Sequence, residues 1–165
     1  VLGDPTKAAA APRDYQAAGV AAWKAAGRRG VIVLPTGAGK TVVALHAIED
    51  ARRSTLVVVP TLDLLHQWFD ILATHWGTER VGAIGGGEHT PRSITVTTYD
   101  SAYLHLDHLG ARFGLVVWDE VHHVAGPATL QAARMALAPF RLGLTATPLE
   151  DERAGSVTEL VGPLV

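Results

Sequence analysis

Three stretches of this chain are apolar at consecutive positions rather than at every second one: Val31-Ile32-Val33-Leu34, Leu56-Val57-Val58-Val59 and Leu115-Val116-Val117-Trp118. A strand that is apolar at every position is covered on both faces, which points to a parallel sheet between layers of helix. The intervening segments fit that reading. Residues 17–26 are Ala-rich, with Tyr15, Val20 and Trp23 spaced as one helical face and Arg28-Arg29-Gly30 closing it. The patterning predicts further helices over residues 40–52, 62–73 and 130–137. It predicts further strands over 81–84, 94–97 and 141–145, and a second strand that begins at Thr55. The acidic-motif strand should run from 113 to 118. Gly85-Gly86-Gly87-Glu88-His89-Thr90-Pro91 reads as a loop by composition. Strands alternating with helices give one α/β domain in three layers, α/β/α, with a mainly parallel central sheet. In such sheets ligands bind beyond the carboxyl ends of the strands.

Chemistry-bearing residues collect at those ends. Leu34-Pro35-Thr36-Gly37-Ala38-Gly39-Lys40-Thr41 follows the first apolar run and opens a helix. Gly37 and Gly39 allow successive backbone N–H groups to converge on phosphate oxygens, and the helix adds the positive end of its dipole. Lys40 can reach the β- and γ-phosphates, and the Thr41 hydroxyl can ligate Mg²⁺. Thr36 and Ala38 complete the candidate nucleotide loop. The strict pattern G-x-x-x-x-G-K-[ST] has glycine where this chain has Leu34.

Asp119-Glu120-Val121-His122-His123 follows the third apolar run. Asp119 at a strand end can hold Mg²⁺ directly or through water, and Glu120 can orient or deprotonate an attacking water. Adjacent histidines on an extended segment point opposite ways, so His122 and His123 do not share a metal. His105 and His108 lie one helical turn apart without an evident third ligand and read as surface residues. Leu144-Thr145-Ala146-Thr147-Pro148 ends a further strand, where small hydroxyl residues can report the phosphate state to the acidic motif.

Flanking residues extend the pattern. Arg13-Asp14-Tyr15-Gln16 lies upstream of the loop, and a Gln amide can read an adenine edge because it donates and accepts together. The alternative there is a helix N-terminus capped by Asp14. Pro60-Thr61, Gln67-Trp68 and Thr97-Thr98-Tyr99-Asp100 sit near two other strand ends. Their hydroxyls and N–H groups can contact a phosphate backbone and their aromatic rings can stack on bases, although Trp68 fits a core position equally well.

Composition narrows the class. The 165 residues are 48% hydrophobic, enough to bury the core of one domain, and contain no cysteine, so disulfides and Cys-based zinc sites are excluded. The net charge of −2 means that, if this domain touches nucleic acid, it supplies part of the grip rather than all of it. No apolar run has the length of a membrane span and no signal peptide is visible, so a cytoplasmic protein is expected. Val1 in place of Met, and an apolar stretch at Val165, read as cuts from a longer protein. Residues 150–165 read as a linker toward a second domain.

Together, Tyr15-Gln16, Gly37 to Thr41, Pro60-Thr61, Thr97-Thr98-Tyr99, Asp119 to His122 and Thr145-Ala146-Thr147 resemble the first RecA-like domain of superfamily 2 helicases. The runs at 94–103, 119–123 and 138–147 resemble the XPB-like DNA repair helicases, above all their archaeal and bacterial forms. The resemblance covers most of residues 13–165. It implies a RecA-like P-loop NTPase fold over the whole chain, with ATP and Mg²⁺ as cofactors. It also implies ATP-driven 3′ to 5′ movement on DNA, as a single strand or fork, with duplex opening. By motif position Arg13, Gln16 and the 36–41 loop bind nucleotide. Lys40, Asp119 and Glu120 are catalytic, Thr41 and Asp119 hold metal, and His122, Thr145 and Thr147 couple. Thr61, Gln67, Thr98 and Tyr99 contact the tracked strand.

A second RecA-like domain, which supplies arginines to the ATP site, is the expected partner. A repair nuclease and a prokaryotic, nucleoid-associated setting follow from the same likeness. XPB-like proteins carry an Arg-Glu-Asp element just after the Thr-Ala-Thr box, and here Glu150 stands at the expected arginine. Three other readings use similar boxes: the motor of a type I or III restriction enzyme, an RNA helicase of the Asp-Glu-x-His type, and a non-catalytic nucleotide switch. If the domain completed its own site, Arg141 and Arg153 would be the candidate fingers.

Overall fold

The computed structural model describes residues 2–35, 37–109, 112–121 and 138–146, and the side chains of all of these but 106–109. The elements in chain order are α1 (Asp14–Ala25), β1 (Arg29–Val33), α2 (Lys40–Ala51), β2 (Thr55–Val59), α3 (Leu62–Trp76), β3 (Val81–Gly85), β4 (Glu88–Thr90), β5 (Ile94–Thr98), α4 (Tyr99–Leu109), β6 (Leu115–Asp119) and β7 (Phe140–Thr145). The seven described strands form one sheet in the order β1-β7-β6-β2-β5-β3-β4. Every pairing is parallel except β3 with β4.

The apolar runs are covered on both faces, as their composition requires. Val57 and Val59 of β2 face one core with Trp23 of α1, Ile48 of α2 and Leu65, Trp68, Leu72 and Trp76 of α3. Leu56 and Val58 face a second core with Tyr99 and Ala102 of α4, Val116 and Trp118. In α3 the buried positions recur at helical spacing, and the Thr61 hydroxyl caps the helix by accepting from the Leu64 N–H at 3.2 Å. Trp23 is fully buried and its indole N–H donates to the Arg141 carbonyl at 2.9 Å, which ties α1 to the start of β7. An N-terminal strap lies over the same face: Leu2 is buried, its N–H donates to the Arg52 carbonyl, and Thr6 and Lys7 donate theirs to the His75 carbonyl.

Several expectations shift. α1 begins at Asp14 with Arg13 as the cap residue, and its inward residues are Gln16 and Trp23, while Tyr15 is exposed. Arg29 and Gly30 belong to β1 rather than to a helix stop. The predicted 85–91 loop contains β4, which pairs back on β3 through a Gly86-Gly87 turn. Both turn residues have positive φ, 57° and 90°, which a two-residue hairpin turn of this kind requires and glycine adopts without a steric penalty. Thr98 extends β5 one residue beyond the predicted 94–97, and Tyr99 opens α4. The predicted helix over 130–137 and the linker over 150–165 lie outside the described residues. Among the described residues, no helix is long and apolar enough to cross a membrane.

Candidate nucleotide site

Register gathers the three motifs. β1, β7 and β6 lie side by side, with Val33 opposite Thr145 and Leu144 opposite Asp119. The phosphate loop, the acidic motif and the third motif therefore leave the sheet at one edge. Leu34, at the position where the strict pattern has glycine, buries its side chain in the core beside α2. Its N–H donates to the Thr145 carbonyl at 2.9 Å, joining the loop entrance to the third motif. Thr145 itself is buried.

The loop is held from α1. Gln16 is buried, and its amide works in both directions: Oε1 accepts from the Arg13 N–H and Nε2 donates to the Ala38 carbonyl, each at 2.8 Å. The Tyr15 hydroxyl donates to the same carbonyl at 2.8 Å. Gly39 has φ +81°, and a Cβ there would sit 2.4 Å from Gln16 Nε2, so only glycine fits both its backbone and its neighbour. The Ala38 N–H donates to the Pro35 carbonyl at 3.0 Å, closing the loop on itself. The Arg13 guanidinium is exposed and lies 3.4 Å from the Tyr15 hydroxyl.

Lys40 opens α2 and reaches across the edge. Its ammonium donates to Glu120 Oε1 at 2.5 Å and lies 3.6 Å from Asp119 Oδ1. The Asp119 carboxylate is buried, accepting from the Glu120 N–H at 3.0 Å through Oδ1 and from the Trp68 indole N–H at 3.1 Å through Oδ2. Glu120 has φ +52°, a left-handed conformation that carries strain in any residue but glycine and clusters at functional sites. The donor set suits a hard cation: Asp119 offers carboxylate oxygen, and Thr41 beside Lys40 offers a hydroxyl. Among the described residues no cluster of three or more His, Asp or Glu side chains forms a further metal site.

The remaining expected residues divide. Thr61 and Gln67 are exposed on α3 near the same edge. Thr98 is buried, and its Oγ1 accepts from the Ser101 N–H at 3.2 Å. Tyr99 corrects the expectation of a ring offered to bases. It is buried against Trp118, and its hydroxyl donates to the Asp119 carbonyl at 2.7 Å. Burial, and then the charges of Asp119 and Glu120, hold its phenol well above the usual value of 10.0, so it stays a donor. Arg141 sits at the start of β7, opposite Arg29, at the far edge of the sheet from Lys40, and is no finger for this site. Thr36, His122, Thr147 and Arg153 lie outside the described residues, as do the side chain of His108 and Glu150. The sequence reading missed Trp68 as an acidic-motif partner. Its spacing with Leu65 and Leu72 signalled burial only, and nothing local shows which carboxylate a buried indole meets.

The chain is similar to known proteins in sequence and in fold. Residues 9–150 match the family described as the type III restriction enzyme, res subunit. The chain is 47% identical over 154 residues to the DNA 3'-5' translocase XPB2 of Sulfurisphaera tokodaii, covering 93% of this chain and 35% of that protein. It is 39% identical to the DNA 3'-5' helicase XPB of Mycobacterium tuberculosis, covering 92% of this chain and 29% of that one. The chain thus spans about a third or less of the length of these curated relatives. The SWI2/SNF2 ATPase core of Sulfolobus solfataricus, solved in complex with dsDNA, superposes with a TM-score of 0.78 at 23% identity, covering 98% of this chain and 38% of that one.

Proposed function

We propose that this chain, which belongs to the family of the type III restriction enzyme res subunit and is XPB-like within the superfamily 2 helicases, is the ATP-binding half of a DNA helicase or translocase. One observation carries the reading: Lys40 of the phosphate loop and Glu120 of the acidic motif, separated by 80 residues of sequence, meet at 2.5 Å. A phosphate-binding cation and a water-orienting carboxylate on one edge are two of the groups that phosphoryl transfer to water needs from a protein.

In this reading the γ-phosphate competes with Glu120 for Lys40, and its arrival frees the carboxylate to orient water. The loop N–H groups of Gly37, Ala38 and Gly39 cradle phosphate once the Ala38–Pro35 contact opens. Gln16 and Arg13 face the base, Gln16 exchanging part of its hold on the loop for the adenine edge. Thr41 and Asp119 hold Mg²⁺, which when bound neutralises charge on the transferring phosphoryl group. Thr145, with His122 and Thr147, couples the site to movement. Thr61, Gln67 and the Thr98 turn contact the tracked strand of a DNA single strand or fork. A second RecA-like domain supplies the missing arginines, and the setting is the cytoplasm of a prokaryote, at the nucleoid, with a repair nuclease as partner.

The family description names a restriction subunit, whereas the 47% identity to a protein named as an XPB-type translocase favours the repair-type motor. The test is MgATP turnover by the full-length protein carrying this domain, with single-stranded DNA, duplex DNA or RNA, and Glu120→Gln as the blank. DNA-stimulated turnover lost in the blank is expected. Stronger stimulation by RNA would move the assignment to an RNA helicase, and tight nucleotide binding without turnover would move it to a switch.

A further inference from the structure

Among the described residues, two buried side chains reach the acidic motif from the nucleic-acid side of the proposed site, each from a helix that follows a strand with a candidate nucleic-acid contact at its end. α3 follows β2 and is capped by Thr61. Seven residues on, roughly 10 Å along the helix axis, Trp68 donates to Asp119 Oδ2. α4 follows β5, its first turn held by Thr98, and its first residue is Tyr99. The Tyr99 hydroxyl donates to the Asp119 carbonyl at 2.7 Å and lies 3.3 Å from the Glu120 carbonyl. Strand order explains the convergence, because β2 lies between β6 and β5. Both donors are buried where water does not compete.

We propose that Trp68 and Tyr99 are positioning residues that relay occupancy of the β2–α3 and β5–α4 junctions to Asp119 and Glu120. The proposal rests on the functional reading above. Glu120 is the sensitive end. Its left-handed backbone is strained and must be held by its surroundings, here by the Asp119 carboxylate on its N–H side and the Tyr99 hydroxyl on its carbonyl side. A phosphate backbone drawn onto the N-termini of α3 and α4 shifts rigid helices. Each helix carries one donor that sets the direction of a carboxylate or of the peptide behind it. Trp68 acts on the carboxylate that faces the metal position, and Tyr99 on the peptide that aims the water-orienting side chain. The third motif meets the phosphate loop through the Leu34 N–H and the Thr145 carbonyl.

The test uses the full-length protein with Tyr99→Phe, which removes one hydroxyl, and Trp68→Phe, which removes the indole donor. Turnover is measured with and without single-stranded DNA, beside DNA affinity, KM for ATP and the thermal midpoint. Each variant should lower the fold-stimulation by DNA about fivefold or more through kcat, with KM for ATP and DNA affinity held within about twofold. Tyr99→Phe should also keep its thermal midpoint, which separates positioning from unfolding if Trp68→Phe is less stable. Wild-type stimulation in both variants would overturn the relay. So would a loss that tracks weakened DNA binding or lost folded protein. Glu120→Gln, run alongside, must abolish turnover. If it does not, the functional reading fails and the relay falls with it, whereas an inactive Glu120→Gln beside fully stimulated Phe variants refutes the relay alone.

Discussion

The two edges of the sheet use the same kinds of residue to opposite ends. At the carboxyl edge, Lys40, Asp119 and Glu120 form a compact cation–carboxylate group in which Asp119 is buried and Glu120 strained. At the amino edge, Asp50 of α2 pairs with Lys24 at 2.9 Å and Arg28 at 3.0 Å, and the Arg28 and Arg53 guanidinium groups lie over the Phe140 ring. The second group sets two cations against one partly buried carboxylate and closes on itself, joining α1 to α2. The first sets two carboxylates, of which Asp119 is buried, against one lysine, so an added cation finds a ready place. The balance of charge within each group, together with the burial of Asp119, separates the two.

That contrast can be broken at four points. The largest effect is expected at Lys40. Lys40→Ala in the full-length protein removes the proposed phosphate contact and leaves Asp119 and Glu120 without their lysine, and DNA-stimulated turnover should fall by about 10³-fold or more. Turnover within tenfold of wild type would mean the carboxyl edge is not the nucleotide site.

Trp23 tests the packing that underlies both edges. It is fully buried and donates to the Arg141 carbonyl. Trp23→Ala should lower the unfolding free energy by about 3–5 kcal/mol, read from urea titration.

Gly39→Ala comes next. At φ +81° with Gln16 Nε2 in the path of a Cβ, the substitution should weaken nucleotide binding about tenfold while lowering stability by about 1–2 kcal/mol. Equal affinity by calorimetry would show that the Gln16–loop contact is dispensable for binding.

The smallest effect is at the amino edge. Burial pushes the Asp50 carboxyl up, but hydrogen bonds and charge from Lys24 and Arg28 outweigh it and hold Asp50 below its usual 3.8. A depressed carboxyl contributes stability that is present above the unfolded value and disappears as pH falls through the folded one. Asp50→Asn should therefore destabilise by less than about 1 kcal/mol at pH 7. The gap to wild type should close as the pH drops below 3.8. A gap that persists in acid would mean the clasp acts by packing rather than by charge.

Strand identity and order of function were legible because they rest on local signals. Consecutive apolar residues marked β1, β2 and β6, and Gly-x-Gly-Lys-Thr and Asp-Glu marked the loop and the acidic motif. The β4 hairpin was legible too, since Gly86-Gly87 is a two-residue turn signal, but glycine count outweighed it. The α1 face through Val20 and Trp23 was legible, but Tyr15 and Gln16 are neighbours that face different ways, and it is Gln16 that turns inward. The roles of Trp68 and Tyr99 were not legible. An aromatic residue at a buried spacing looks the same in sequence whether its polar atom meets a carboxylate, a carbonyl or nothing.

Sequence alone therefore determined a parallel sheet between helices, its nucleotide-type motifs and their side of the sheet, because backbone propensity and apolar period act over a few residues. Only the tertiary structure decided that Lys40 rests on Glu120, that Gln16 grips the phosphate loop, that Glu120 is left-handed, and that an indole and a phenol from two other helices hold the acidic motif. Those are contacts between segments far apart in the chain, fixed by strand order and burial, and no local pattern encodes which donors and acceptors such packing brings within hydrogen-bond reach.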